Sequence, residues 1–220
     1  MALIELDSIS FSYGPEEITV LRDFSLAVEA GECLAVTGDN GAGKTTLFRV
    51  LNGLSFPQKG VYRFDGTEIT AAWLKKQANA KGFHKRIGYL VQDPELMLFN
   101  ASVWDEVAFG PRQLGLAEAE VEARVWDCLA LFELEPLAEK APYRLSGGQK
   151  KQVALAAVLA LNPEVLVLDE PLAGLDRRTR GRLLELLTEL RAAGKTLIAA
   201  THDETLCAAL KAKVIELTAP

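Results

Sequence analysis

Three segments of this chain carry residue types whose spacing suits phosphate chemistry. Gly38-Asp39-Asn40-Gly41-Ala42-Gly43-Lys44-Thr45 fits the pattern GxxxxGK[ST], after the apolar run Leu34-Ala35-Val36 and before the helical stretch that opens with Thr46-Leu47-Phe48-Arg49-Val50. Glycines let such a backbone fold around a phosphate with its N–H groups turned inward, and a helix start adds about half a positive charge towards the same anion. Lys44 is expected to reach β and γ phosphates, and the Thr45 hydroxyl suits Mg²⁺, which prefers phosphate oxygens, water and few protein ligands. The run Val165-Leu166-Val167-Leu168 ends in Asp169-Glu170, two carboxylates at the end of a buried strand, where open α/β sheets bind ligands. Asp169 is expected to serve the metal through a coordinated water, and Glu170 to orient and deprotonate an attacking water. Leu145-Ser146-Gly147-Gly148-Gln149 stands before a long apolar helix, where its serine and glycines offer N–H groups at a second helix start. Taken singly, the first could be a Gly-rich turn and the second a solvated strand end; together they are far more specific.

These segments need a frame. The first 30 residues alternate apolar and polar and turn at Ala30-Gly31-Glu32, which predicts half-buried antiparallel strands. From Cys33 onward short apolar runs at 34–36, 87–91, 165–168, 197–200 and 214–217 are separated mostly by helical stretches. That alternation predicts a mostly parallel sheet covered on both faces. Over 118–132, Val121, Val125, Leu129 and Phe132 recur at steps of three and four, which predicts an amphipathic helix opening an insert that ends near Pro142. No repeat, low-complexity tract or linker divides the 220 residues, so one domain with subdomains is expected.

Composition narrows the function. With 49% apolar and 25% charged residues the chain can bury a core, so disorder is not expected. Twenty-four basic against 30 acidic residues leave a net charge of −6, which gives no general attraction to nucleic acid or an anionic bilayer. The longest apolar run, 153–161, is nine residues, about half the ~20 needed to span hydrocarbon. The start, MALIELDSISF, lacks the basic and apolar regions of a secretory signal, so a cytoplasmic location is expected. Three scattered cysteines, Cys33, Cys128 and Cys207, with two histidines in the whole chain, read as reduced packing residues rather than a metal site.

LSGGQ stands in full at 145–149, and with the phosphate loop it makes the chain resemble the ATP-binding cassette family over nearly its whole length. The resemblance implies an α/β P-loop NTPase fold: a mostly parallel sheet, an N-terminal antiparallel β subdomain, and a helical subdomain over about 95–150 that carries the signature. It implies ATP and Mg²⁺, with residues 38–46 of the loop (Gly38, Asp39, Asn40, Gly41, Ala42, Gly43, Lys44, Thr45, Thr46) around the phosphates. It also implies a head-to-tail dimer in which Ser146, Gly147 and Gly148 of one subunit cap the γ-phosphate held by Lys44 of the other. Tyr13 then resembles the aromatic that stacks on adenine, and Gln92 the glutamine that senses Mg²⁺ and water. Asp176 in Ala173-Gly174-Leu175-Asp176 resembles the loop crossing the dimer interface, and His202 the switch histidine that meets the γ-phosphate or holds the water. Singly these have plainer readings: Tyr13 and His202 as packed strand residues, Gln92 as a surface amide, Asp176 as a helix cap.

Residues 92–99 and 103–110 narrow the resemblance to energy-coupling factor importers of vitamins and transition-metal ions. In that group the segment after Gln92 receives the coupling helices of integral membrane subunits, and a Met- and Phe-bearing groove suits an amphipathic helix; burial within the helical subdomain is the alternative. Two departures are visible: Met97 stands where many members carry glutamine, and Lys151-Gln152 replaces a Gln-Arg pair. Members often continue well past the point matching 214–220, so either a regulatory tail is lacking or this is a short form. Two basic clusters, 75–86 and Arg177, Arg178, Arg180 and Arg182, read as solvated faces, although cations at a helix start oppose its dipole. Some of those arginines are expected to pair with carboxylates, within the chain or across a dimer.

The resulting expectation is an ATPase subunit, paired with itself or a related cassette, peripheral to the cytoplasmic face of the membrane, that powers an importer of a vitamin or of cobalt or nickel, without nucleic acid as partner. The alternatives are the cassette of an exporter or lipoprotein-release system, a soluble cassette ATPase of DNA repair or translation, and a P-loop kinase, for which LSGGQ would have no task.

Overall fold

In the computed structural model, which describes residues 2–14 and 19–218, the apolar–polar alternation of the N-terminal segment folds as an antiparallel sheet. Its central strand β1 (Ile4–Phe11) pairs with β2 (Leu21–Val28) on one side and with β4 (Lys59–Phe64) on the other, and β5 (Thr67–Glu68) extends β4. Ile4, Leu6, Ile9 and Phe11 face inward. The alternation breaks once, at the exposed pair Asp7 and Ser8, where Ser8 adopts φ +49° and the register to both neighbours shifts. This bulge lets Leu6 and Ile9 both reach the core. Gly60 lies against it: a Cβ there would sit 2.4 Å from the Asp7 carbonyl oxygen and 2.5 Å from that of Ser8.

The second sheet is parallel throughout, in the order β6 (Ile87–Leu90), β7 (Val165–Asp169), β8 (Thr196–Ala200), β3 (Cys33–Thr37), β9 (Lys213–Glu216). Every residue of β7 and β8 is buried, as the unbroken apolar runs require of strands covered on both sides. Leu34, Val36, Val165, Val167, Ile198 and Ala200 face the antiparallel sheet and α1 (Lys44–Leu51). Cys33, Leu166, Leu168, Leu197 and Ala199 point the other way, into a core shared with the remaining long helices. The pairing register sets Asp169 opposite Ala200 and Ala200 opposite Val36. The carboxyl ends of β3, β7 and β8 are therefore level, and the loops that follow them leave the sheet side by side.

The helical part is α4 (Val103–Leu114), α5 (Glu118–Leu131) and α6 (Gly147–Leu159), packed on one another. Val121, Val125 and Leu129 are fully buried, as the spacing of α5 predicts. The insert begins one helix earlier than periodicity indicated. In α4 the apolar stripe Val103, Val107, Ala108 is masked by half-exposed Trp104 and Phe109 and by Gly110-Pro111, residues that ordinarily argue against a helix interior. In the first basic cluster, Lys75 and Lys76 lie between two short helices, α2 (Ala71–Leu74) and α3 (Gln77–Arg86), and Lys81, Lys85 and Arg86 lie on α3. Arg86 is no solvated cation: it bonds Glu164 at 2.8 Å and Asp65 at 2.9 Å and lies 4.8 Å over the Phe64 ring, joining the two sheets. The chain continues through α7 (Arg177–Ala192) and α8 (Glu204–Leu210). Among the described residues no helix is long and apolar enough to cross a membrane.

Glu106 of α4 is 4% exposed, and its Oε2 accepts the N–H groups of Phe99 (2.9 Å) and Asn100 (2.7 Å). Removing it takes the carboxylate acceptor from two part-buried N–H groups, and a hydrogen bond to a charged group contributes about 1.5–3 kcal/mol. Glu106→Ala is expected to lower unfolding stability by roughly 2–4 kcal/mol in a urea titration, and Glu106→Gln, which keeps one acceptor oxygen, by less.

Candidate active site

At the level edge of the parallel sheet, the loop after β3 turns into α1 through Gly43, which sits at φ +98° and supplies no side-chain cap. A Cβ at Gly43 would lie 3.1 Å from Val20 and 3.2 Å from Leu21, so both the conformation and the space call for glycine. The Gly43 carbonyl accepts the first helical bond, from the Leu47 N–H at 2.8 Å. The N–H groups of the first turn ahead of it therefore point out of the helix, available to an anion. Lys44 Nζ folds over the loop, donating to the Gly38 carbonyl and, at 3.1 Å, to that of Asp39.

A cavity of about 340 Å³ opens here and brings together Tyr13, Asp39, Asn40, Gly41, Gly43, Lys44, Thr45, Thr46, Gln92, Asp169 and Glu170. Gly38 and Ala42 complete the loop behind it. Thr45 Oγ1 donates to Asp169 Oδ2 at 3.1 Å, which joins the helix start to the end of β7. Burial pushes the Asp169 carboxyl above the usual carboxylate range, and the Thr45 hydroxyl and the Lys44 and Lys151 cations pull it back. Glu170 is half-buried and raised chiefly by burial, with His202, Lys44 and Lys151 acting against that shift and Asp169 adding to it. Its backbone is left-handed, φ +47°, and its N–H donates to the Ala200 carbonyl at 3.0 Å. Tyr13 is 57% exposed; its ring meets Phe11 edge-on at 5.0 Å and its hydroxyl bonds Thr46 Oγ1 at 2.9 Å. Gln92 is exposed at the lip of the cavity, in the loop that follows β6.

Four predicted groups lie outside the cavity lining: the signature, Asp176, His202 and the arginine cluster. Exposed His202 follows β8 and acts on Glu170 through its charge. At the signature, Ser146 and Gln149 form a capping box: Ser146 Oγ accepts from the Gln149 N–H at 3.3 Å, and Gln149 Oε1 accepts from the Ser146 N–H at 3.0 Å. The expectation of open N–H groups is thus corrected for Ser146, whose own N–H is used; those of Gly147 and Gly148 open the helix. Asp176 caps α7, accepting from Arg178 N (2.9 Å) and Thr179 N (3.0 Å), and these bonds hold its carboxyl below the usual range. Of the arginines, Arg178 and Arg182 share Glu133, and Arg180 bonds Asp203, all within this chain. Periodicity carried no signal for Glu133. Lys151, also missed as a site residue, was visible only as a departure from the usual Gln-Arg pair; it is 4% exposed, its pKa lowered by burial.

A glycine-lysine-threonine loop wrapped on a helix start, beside a strand-end Asp-Glu pair on a parallel sheet, defines a P-loop nucleoside triphosphatase. Residues 21–173 match the ABC transporter family, and the chain belongs to that family as one of its ATPases. The nickel import ATP-binding protein LarO of Lactiplantibacillus plantarum is 49% identical over 201 residues, 91% of this chain and 83% of that protein. The cobalt import ATP-binding protein CbiO of Rhodobacter capsulatus is 44% identical over 96% of this chain and 74% of its own length. Among solved structures, CbiO1 of Clostridium perfringens, part of the ABC transporter complex CbiONQ, is 36% identical with a TM-score of 0.76 over 92% of this chain and 79% of that one. The cassette MJ0796, seen as a dimer in a post-hydrolysis state bound to ADP and Pi, has a TM-score of 0.87 at 26% identity over 98% of this chain and 96% of its own.

The capping box makes a stability test of the signature helix possible without nucleotide. Ser146→Ala removes the acceptor for the Gln149 N–H and is expected to cost about 0.5–2 kcal/mol in chemical unfolding of the nucleotide-free chain.

Proposed function

We propose that this chain is the ATP-hydrolysing subunit of an energy-coupling factor importer for nickel or cobalt ions, held at the cytoplasmic face of the membrane by integral membrane subunits. The observation that carries the reading is the Thr45–Asp169 hydrogen bond inside a cavity shared with Lys44 and Glu170, on a chain 49% identical to a nickel import ATPase over 91% of its length.

The triphosphate enters along the open N–H groups of the loop, and Lys44 exchanges its two loop carbonyls for β and γ oxygens. Tyr13 offers its exposed ring to adenine. Thr45, Asp169 and Gln92 supply a hydroxyl, a carboxylate and an amide oxygen, a hard-oxygen set that fits Mg²⁺ with few protein ligands. When bound, Mg²⁺ neutralises charge on the β and γ oxygens. Glu170 takes the proton of the attacking water, and His202 holds that water or the γ-phosphate from the neighbouring loop. Ser146, Gly147 and Gly148 of a second cassette, either another copy or a related chain, close over the γ-phosphate, with Asp176 at that junction. Hydrolysis is thereby tied to pairing.

Apart from the cavity, with no lining residue in common, an apolar cleft of about 340 Å³ includes Met97, Phe99, Phe109 and Leu161, with Phe99 and Phe109 stacked edge-to-face at 5.0 Å. Phe99 is 67% exposed. We assign this cleft to an amphipathic coupling helix of the membrane subunit; Met97 contributes an apolar wall where a polar contact is usual in the group.

Uptake of radioactive nickel and cobalt by cells carrying the complete transporter tests the reading. Glu170→Gln is expected to abolish uptake and slow ATP turnover by about 10²- to 10⁴-fold, the worth of a positioned general base, while ATP still binds. Unchanged turnover would remove Glu170 from that role, and accumulation of a vitamin in place of either metal would overturn the cargo assignment.

A further inference from the structure

The signature helix and the hydrolytic loop are joined inside this chain by a buried cation. Lys151, in the second turn of α6, sends Nζ to the carbonyl of Glu170 and, at 2.9 Å, to that of Ala173. Neither acceptor is charged. An ammonium taken out of water is costly, and it persists where its donors meet acceptors that an apolar side chain of similar size could not satisfy. The two carbonyls bracket a tight turn that is closed by the Ala173 N–H donating to the Glu170 carbonyl at 3.2 Å.

Glu170 heads that turn at φ +47°, a left-handed conformation that residues other than glycine hold only when their surroundings determine it. Its surroundings do so from both sides: the N–H is fixed to the Ala200 carbonyl of β8, and the carbonyl to Lys151. With both ends of the residue held, the direction of its side chain is set. Lys150, next along the helix, turns the other way and bonds Glu95 in the loop after Gln92. The start of α6 is thus fastened to two of the loops around the cavity.

We infer that Lys151 is a positioning residue for ATP hydrolysis, which fixes the Glu170 backbone to the signature helix and so aims the carboxylate that activates water. It acts through Glu170 and touches no reacting atom. The inference rests on the reading of Glu170 as general base. It also gives the helix whose first N–H groups face a second cassette a direct mechanical hold on the hydrolytic group of its own chain.

The test uses the full-length chain, with steady-state turnover and the affinity for a fluorescent ATP analogue measured together. Lys151→Met is expected to lower kcat by about 10- to 100-fold, the range for a misaimed catalytic group, with KM and analogue affinity within about twofold of the parent. Lys151→Arg, which keeps a cation with several donors, is expected to restore most of kcat. In the Glu170→Gln background, Lys151→Met is expected to slow turnover no further, because the group it aims is already gone. Parent-like kcat in Lys151→Met, multiplied effects in the double variant, or no rescue by arginine in a folded protein would each overturn the inference. If Lys151→Met fails to fold by circular dichroism, Lys151→Arg and Lys151→Gln decide instead: kcat falling in the order parent, Arg, Gln at equal affinity supports it, and a loss confined to affinity overturns it. Parent-like turnover in Glu170→Gln removes the underlying reading, whereas slow Glu170→Gln beside normal Lys151→Met removes only the role of Lys151.

Discussion

The structure depends on one geometric constraint: parallel strands in register end at the same level. Because Asp169, Ala200 and Val36 lie in one row across β7, β8 and β3, the loops carrying Lys44, Glu170 and His202 start from a common edge. Carboxylates and a histidine contributed by segments far away in sequence are therefore brought to the same edge as the open N–H groups of α1. The hydrogen bond from Thr45 to Asp169, 124 residues on, is the direct sign of that convergence. Everything beneath the edge serves to keep it level, from the fully buried strands β7 and β8 to the antiparallel sheet that backs α1.

The helical part is attached to this edge by polar contacts as well as by its core. Lys150 and Lys151 tie the start of α6 to Glu95 and to the Glu170–Ala173 turn, and Gln152 donates to the Phe132 carbonyl at 3.3 Å. On the far side, Glu133 receives Arg178 and Arg182 from α7. These latter pairs are largely exposed, so they are weak and screened by salt. They oppose the unfavourable placement of cations near the start of α7, which Asp176 also relieves by capping it. The start of α6 is thus bonded to the Glu170–Ala173 turn, while the segment after α5 is joined to α7 only by these exposed pairs.

Much of this was legible in the amino-acid sequence because the relevant signals are local. The Gly43-Lys44-Thr45 turn, the alternation in β1, the apolar runs of the parallel strands and the spacing in α5 each follow from periods and glycine positions within a short window. The helix α4 was not, because Gly110 and Pro111 interrupt its stripe and because Trp104 and Phe109 are left only partly buried. The fate of the Ser146 N–H turned on Gln149, a capping-box partner that a reading directed at phosphate overlooked. Arg86, Glu133 and Lys151 escaped assignment for a different reason: each meets partners distant in sequence, and long-range pairing of single charges leaves no periodic trace.

The loop around Lys44 has the makings of a triphosphate cradle. Calorimetric titration of the purified chain with ATP and with AMP, beside Lys44→Ala, tests it most directly. ATP should bind far more tightly than AMP, and Lys44→Ala should weaken ATP binding by about 10- to 100-fold, the worth of a charge-assisted contact to phosphate. Equal affinity for the two nucleotides, or undiminished ATP binding without the lysine, would contradict it.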